Sequence, residues 1–422
     1  MPDPGPVTCA GCGLLCDDVT VERSGDGVRL APPCWLGAEW FAERIRRMAG
    51  APAATIRGRP SDVDAALARA AELLRDARRP LLHGFDDATV EDARAAVALA
   101  DRLGALVATD GVAGAWPGVP AVPLRGVSSA TLGEIRDRSR LVVIWREDPA
   151  STHPRLLDRL GLGGGSDSRL EARGAPSPLG ISGAPSRPNT KRTLVVVDDR
   201  DTTTAQRADL QLRWARERDL EALTRLHGLQ RSLVLRPSDL DAELGVLLER
   251  LRAVPHAALI HGPGVRAGTG GQRRELALHE LVRALSHDRH VVTLALPRAP
   301  GTRGAQDVLT WQTGYSGNVD LASGHPEPVT ATRPLATHEG VDVSLRIEGT
   351  AGEVPDDVIE IALCSLPVAG VEVSIRTAAA GVATAGTAHR LDGVPLALQA
   401  LLPGDAPTAA SLLARLLAEL EP

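Results

Sequence analysis

Aromatic side chains are scarce in this chain of 422 residues, which holds two Phe, one Tyr and six Trp. Positive charge is not in excess either, because the formal net charge is −6. Together these shortages remove the stacking platform and the basic patch that nucleic-acid binding uses, which leaves small molecules and other proteins as partners. No run of 18 or more apolar residues occurs, so no membrane-spanning helix is expected. The opening stretch "MPDPGPVTCAG" has neither the basic n-region nor the apolar h-region of a secretory signal, and a cytoplasmic location is the expectation. Cysteine is rare but clustered: of five, four fall in the first 34 residues. Disulfide frameworks belong to small secreted domains, so in the cytosol this clustering points to a metal.

Apolar runs alternate with helical periodicity along most of the chain. "PLLHG", "ALVAT", "LVVIW", "TLVVVDD" (193–199), "AALIHG" (257–262) and "VVTLAL" read as short buried strands. Between them "SDVDAALARAAELLRDARR" (61–79, with Ser61 as the candidate N-cap), "VEDARAAVALADRLG", "TLGEIRDRS", "HPRLLDRL", 219–230, 238–252 and "GQRRELALHELVRALS" read as helices. This order predicts an α/β fold with parallel sheets covered on both faces. Six segments are expected: a cysteine segment at 1–50, Rossmann-like α/β at 51–160, a flexible insertion at 161–192, a continuation of the α/β pattern at 193–255, a second α/β domain at 256–340, and strands with a helix completing the fold at 341–422. The insertion is rich in Gly, Ser, Pro and Ala without apolar periodicity, too little to order itself. The Gly, Thr and Pro-rich stretch from "PRAPGTRG" to "ASGHPEP" reads as loops lining a site.

Cys9, Cys12, Cys16 and Cys34 have the spacing C-x2-C-x3-C-x17-C. Three close ligands with a fourth arriving from farther along suit a [4Fe-4S] cube held by four thiolates. Zinc favours two separated C-x2-C knuckles, of which the second is missing; it stays open as the alternative. Gly11 and Gly13 agree with close passage of backbone beside a cluster.

The stretch "CAGCGLLCDDVTV" with "CWLGAEWF" resembles the N-terminus of formylmethanofuran dehydrogenase B subunits, which carry molybdenum or tungsten. The resemblance continues through "TLGEIRDRSRLVVIWREDPASTHPRLLDR" (131–159), "LVVVDDRDTTTAQRAD" (194–209), "VLTWQTGYSGNVDLASGHP" (308–326) and "GTAHRLDGVP" (386–395). It implies a [4Fe-4S] cluster on Cys9, Cys12, Cys16 and Cys34, and interleaved Rossmann-like domains of the molybdopterin oxidoreductase type. In that family such domains grip a pair of pterin-guanine dinucleotides around the metal.

Several residues are candidates for that cofactor. Asp198, Arg200 and Thr202 follow an apolar strand, where ligands of open α/β sheets collect. Asp198 offers an acceptor to a guanine edge or ribose, and Arg200 offers a fork to phosphate; a helix cap with a surface ion pair explains them equally well. Gly264 opens a glycine-rich loop before a helix, a setting for phosphate, although its spacing departs from G-x-G-x-x-G. The resemblance places Trp311 and Thr313 near the pterin cavity, and makes Arg298 or Arg303 the counterpart of the family's active-site arginine.

One family feature is missing. The metal-ligating Cys or selenocysteine, and the His after it, are expected within 108–126, yet "ATDGVAGAWPGVPAVPLRG" contains neither. An ungapped count puts Gly114 and Ala115 in their places. Cys364 lies in an apolar strand pattern, as a small buried hydrophobe would. The departure favours a scaffold resembling the B subunit of the bacterial formyltransferase/hydrolase complex, whose partner subunits do the chemistry of taking a formyl group from its carrier to formate. No H-x-H pair, nucleophile elbow or paired catalytic carboxylates occur to contradict this. Two alternatives stand beside it: an active molybdenum or tungsten subunit interconverting CO2 and the formyl carrier, and a structural metal knot that docks another subunit.

Overall fold

The computed structural model describes residues 5–24, 27–48, 52–109, 126–162, 192–329, 340–349 and 354–420. The chain forms two units, one made of Met1–Val127 with Leu296–Pro422 and the other of Ser128–Ala295. Each is a mixed α/β structure built on a sheet with parallel strands. Among the described residues no helix is long and apolar enough to cross a membrane.

The sheet of the second unit contains, in chain order, Leu141–Trp145, Thr193–Val197, Leu210–Leu212, His256–His261 and His290–Ala295. All its pairings are parallel. In space the order is fifth, fourth, first, second, third, so the chain changes direction across the sheet between the first and fourth strands. Burial of every residue of Leu141–Trp145 explains its unbroken apolar run, because helices cover both faces of such a sheet. Val143, Trp145, Val195 and Leu259 pack with Leu278 and Val282 of the helix Gly271–Leu285 in one core.

At the end of Leu141–Trp145 the buried Arg146 takes a left-handed backbone conformation, φ 54°. Its guanidinium donates to both carboxylate oxygens of Asp219 at 2.9 Å, to the Trp214 carbonyl at 2.7 Å and to Asp199 at 3.0 Å. The Trp214 indole N–H donates to Asp219 as well, at 2.8 Å. A paired fork of this kind satisfies both buried charges and fixes the turn.

The sheet of the first unit runs in space through Glu327–Pro328, Val319–Asp320, Leu106–Ala108, Pro80–Gly84, Val343–Ile347, Ile359–Cys364, Val373–Arg376, Ala54–Ile56 and Arg59–Ser61. From Leu106–Ala108 to Val373–Arg376 the strands are parallel, and the outer ones pair antiparallel. Helices Val63–Asp76, Val90–Leu103 and Ala409–Glu419 cover one face, with Leu67, Ala96 and Leu412 packed against Leu345 and Leu363.

Two readings of the sequence change here. Ser61 ends a strand, and Asp62 caps the following helix by accepting from Ala65 N at 2.7 Å. The stretch read as site-lining loops contains the helix Thr302–Thr313. Ala305, Val308 and Leu309 supply its buried stripe, and left-handed Gly314, φ 83°, ends it. Flanking glycines and threonines hid that short stripe in the sequence.

Glu348 follows Val343–Ile347 with φ 45°. Its carboxyl group accepts from Ser365 N at 3.0 Å and from the Thr377 hydroxyl. Burial, and then the neighbouring Asp92 carboxylate, push its pKa up to about 8.

Two outcomes follow for stability. Asp219→Ala leaves the Arg146 charge buried and unpaired, and should cost about 3–5 kcal/mol in urea unfolding; a loss under about 1 kcal/mol would mean that water replaces the carboxylate. For Glu348 the folded-state pKa is raised, so its contribution is complete below the ordinary carboxylate value of 4.5 and is lost as the pH climbs through 8. Stability should therefore fall by up to about 1.4 kcal/mol per pH unit within that window, and Glu348→Gln should flatten the profile. Parallel pH profiles for the two proteins would refute the assignment.

Candidate functional site

The cysteine segment is folded back on itself. Val7 and Val19 form an antiparallel bridge, Cys9 N donates to the Cys16 carbonyl at 2.8 Å, and Leu15 N donates to the Cys12 carbonyl at 3.1 Å. Leu14 and Leu15 are fully buried and anchor the loop, while Cys9, Cys12 and Cys16 are buried beside them. Cys34 sits immediately before the helix Trp35–Met48, and its carbonyl accepts from Ala38 N at 3.0 Å. Cys34 therefore stands at the N-terminal end of that helix.

Cys34 and Cys9 approach each other across Gly37, which has no side chain. A β-carbon there would stand 2.8 Å from Cys9 Sγ, 2.7 Å from Leu30 Cδ1 and 3.8 Å from Cys34 Sγ. At Gly11 a β-carbon would meet Gly37 Cα at 2.9 Å. Two glycine backbones thus pass each other against the sulfurs. Gly11 N–H donates to Cys9 Sγ at 3.4 Å, the kind of bond that tunes metal-bound thiolates. Burial, with the other three sulfurs adding to it, pushes the Cys12 thiol well above its ordinary value; a cation among the sulfurs would reverse that. Among the described residues no cysteine is disulfide-bonded. Four thiols are the donor type of an iron–sulfur cluster, and among the described residues no three of these sulfurs lie within 4.8 Å of one another.

The segment is seated on distant parts of its own unit. Gly13 faces the Pro297 carbonyl, which would lie 2.7 Å from a β-carbon, and its own carbonyl accepts from Leu391 N at 2.9 Å. Thr8 N donates to the Gln399 side chain at 3.0 Å. The exposed Arg298 is the neighbour of Pro297 in the chain. Arg303 Nε donates to Asp307 at 3.0 Å, and the same carboxylate oxygen bonds His389 Nδ1 at 2.7 Å. Trp311 is 63% exposed, with its ring edge-on to His389 at 5.5 Å between centroids. Thr313 turns its hydroxyl to the Leu309 carbonyl at 2.7 Å, closing its own helix.

Asp198, Arg200, Thr202 and Gly264 belong to the other unit. The buried carboxylate of Asp198 accepts from Arg200 Nε and Nη2 at 3.0 and 2.9 Å. That pairing holds the acid below the ordinary carboxylate range against the opposing effect of burial. The Thr202 hydroxyl accepts from Ala205 N at 3.0 Å. A β-carbon at Gly264 would stand 2.2 Å from the Arg146 carbonyl, so the close approach this glycine permits is to the turn after Leu141–Trp145. Gly114 and Ala115 lie outside the described residues, as does 163–191 of the expected insertion. Cys364 is buried, as expected of a small hydrophobe, and its thiol is directed to the Gly349 carbonyl.

No family model matches the chain. It is 26% identical over 426 residues to the B subunit of the tungsten-containing formylmethanofuran dehydrogenase 2 of Methanocaldococcus jannaschii, covering 94% of this chain and 93% of that protein. The chain is similar to formylmethanofuran dehydrogenase B subunits. The protein of the same description from Methanococcus maripaludis is 25% identical over 429 residues, with the same coverage. Among solved structures, the crystal structure of the formyltransferase/hydrolase complex from Methylorubrum extorquens with methylofuran contains a chain of the same fold. The match has a TM-score of 0.67 at 22% identity, over 87% of this chain and 98% of that one. Because that similarity covers 94% of the chain, it spans both units and takes in the Trp311 helix.

The contact at Gly37 can be tested directly. Gly37→Ala should displace Cys9 and Leu30, and lower stability by about 1–3 kcal/mol in urea unfolding. An unchanged midpoint would show that the methyl group is accommodated.

Proposed function

We propose that the chain is the B-type component of a formylmethanofuran dehydrogenase-like formyltransferase/hydrolase assembly, which passes a carrier-bound formyl group on to formate in one-carbon metabolism. In this reading it is a cytoplasmic scaffold with a [4Fe-4S] cluster on Cys9, Cys12, Cys16 and Cys34. Its partners are the subunits that carry the transferase and hydrolase chemistry. The observation that carries the reading is the approach of Cys9 and Cys34 across Gly37, with Cys12 and Cys16 buried in the same folded segment, in a chain aligned with B-type relatives over 94% of its length.

Bound there, the cluster supplies a one-electron redox centre. The protein's own share is to bury three of the four sulfurs, to offer the Gly11 N–H to Cys9, and to place the end of a helix beside Cys34. Stretch 108–126 has no Cys and no His, so it offers a molybdenum or tungsten ion neither thiolate nor imidazole. Axial ligands set the potential of such a metal, and the scaffold role follows from their loss.

A second reading, an active subunit with a pterin-bound metal, draws its support from the word tungsten in the names of both relatives. It gives Asp198, Arg200, Thr202 and Gly264 a dinucleotide to hold in the second unit, and Trp311 and Thr313 one in the first. Arg298 or Arg303 is then the active-site arginine.

Metal analysis of the anaerobically purified assembly separates the readings. About four iron and four sulfide per chain, with the broad thiolate-to-iron absorption lost in Cys16→Ser and no molybdenum or tungsten, is the expected result. Stoichiometric tungsten or molybdenum with extractable pterin would sink the scaffold role. Zinc without iron would instead make the segment a structural knot.

A further inference from the structure

His261, Glu275 and His279 are used by nothing described so far. His261 ends the strand His256–His261, at the carboxyl edge where the strand order of its sheet reverses. That edge is where open α/β sheets hold their ligands. Along the strand Ala257, Leu259 and His261 share a face, and the first two pack in the core that takes Leu278 and Val282 from the helix Gly271–Leu285. Glu275 and His279 are one turn apart on that helix, with Leu278 and Val282 on the same buried stripe. In its first turns the stripe is therefore polar where core packing calls for apolar residues.

One ligand atom from each of the three residues lies within 4.8 Å of the others, and all three are buried. His261 is 1% exposed and His279 is 7% exposed. Among the described residues, neither ring nitrogen of His261 nor Nδ1 of His279 finds a hydrogen bond of ordinary geometry. The two rings stand edge to face at 5.9 Å. A buried imidazole with nothing to bond is costly, and each such group calls for an explanation.

Arg266 holds Glu275 Oε1 at 2.9 and 3.0 Å from two of its nitrogens, which orients the carboxylate. The Glu147 carboxylate packs against Gly262, the residue after His261, where a β-carbon would be 1.7 Å from its Oε2. Burial first, and the Arg266 charge second, lower the pKa of both imidazoles, to about 4 for His279.

We infer that His261, Glu275 and His279 bind one zinc ion, with Arg266 as the outer partner that orients the carboxylate. Two imidazoles and a carboxylate are a zinc donor set, with the fourth position left to water, and a hydrogen-bonded carboxylate is the usual arrangement around such ions. Because the ligands are buried, the ion is taken up as the unit folds. This site shares no residue with the cysteine segment, so it stands whether or not the proposed function does.

The test is made on the full-length chain with Cys9, Cys12, Cys16 and Cys34 changed to Ser, which removes the thiolate site. This protein should bind one equivalent of zinc. Cobalt in its place should give visible d–d bands without thiolate charge-transfer absorption. His279→Gln and, separately, Glu275→Gln should weaken binding by more than about tenfold. If the cysteine-free chain does not fold, the cobalt difference spectrum between the intact chain and its His279→Gln variant reads the same site. No zinc bound to the folded cysteine-free chain would overturn the inference. So would equal affinity in the folded His279→Gln variant, or a difference spectrum without d–d bands.

Discussion

Both units depend on how the chain leaves its central parallel strands. Phe85, Arg146 and Glu348 each follow such a strand, and each is a buried non-glycine residue with φ between 45° and 71°. Left-handed backbone of this kind costs about 1 kcal/mol or more per residue, so something must hold it. In each case the turn residue donates its N–H to the neighbouring strand: Phe85 to the Ile347 carbonyl, Arg146 to Val197 and Glu348 to Leu363. The side chains complete the hold: Phe85 through the apolar core, Arg146 through Asp219, and Glu348 through Thr377 and Ser365. The carboxyl edge of each sheet is thereby rigid, and the loops beyond it start from fixed points.

The cysteine site inherits that rigidity. The Phe85 carbonyl and the Ala88 backbone press on Gly301, whose N–H donates to the Asp86 carbonyl at 2.7 Å. One residue of the same loop, Asp87, receives the Trp40 indole and the Arg44 guanidinium from the helix that begins after Cys34. Arg44 also stacks over the Trp40 ring. The helix after Cys34 and the loop near Arg298 are thus held by one turn, so the cysteine segment is positioned by the sheet as well as by its own contacts.

Much of this was legible in the sequence. "LVVIW" and "TLVVV" lie in the parallel sheet that their unbroken apolar runs imply, and two of the spaced cysteines, Cys9 and Cys34, approach each other across Gly37. The helix Thr302–Thr313 was not legible, because its apolar stripe is three residues long and sits among glycines and threonines. The His261 group was missed for a different reason. A strand-end histidine gives no signal of its own, and 13 residues lie between it and Glu275. A signal did exist on the helix, where Glu275 and His279 occupy its apolar stripe one turn apart. Gly264 reads as a phosphate turn in the sequence, whereas its close approach to Arg146 depends on a strand more than a hundred residues away.

The seat of the cysteine segment also sets a timetable. Its supports at Pro297, Leu391 and Gln399 leave the ribosome long after the ligands themselves. Until residue 399 is free, Gly13 and Thr8 have nothing to rest on and the thiols remain open to solvent. The segment itself is therefore secured only once that distant stretch has been made, after synthesis of the sheet and not alongside it.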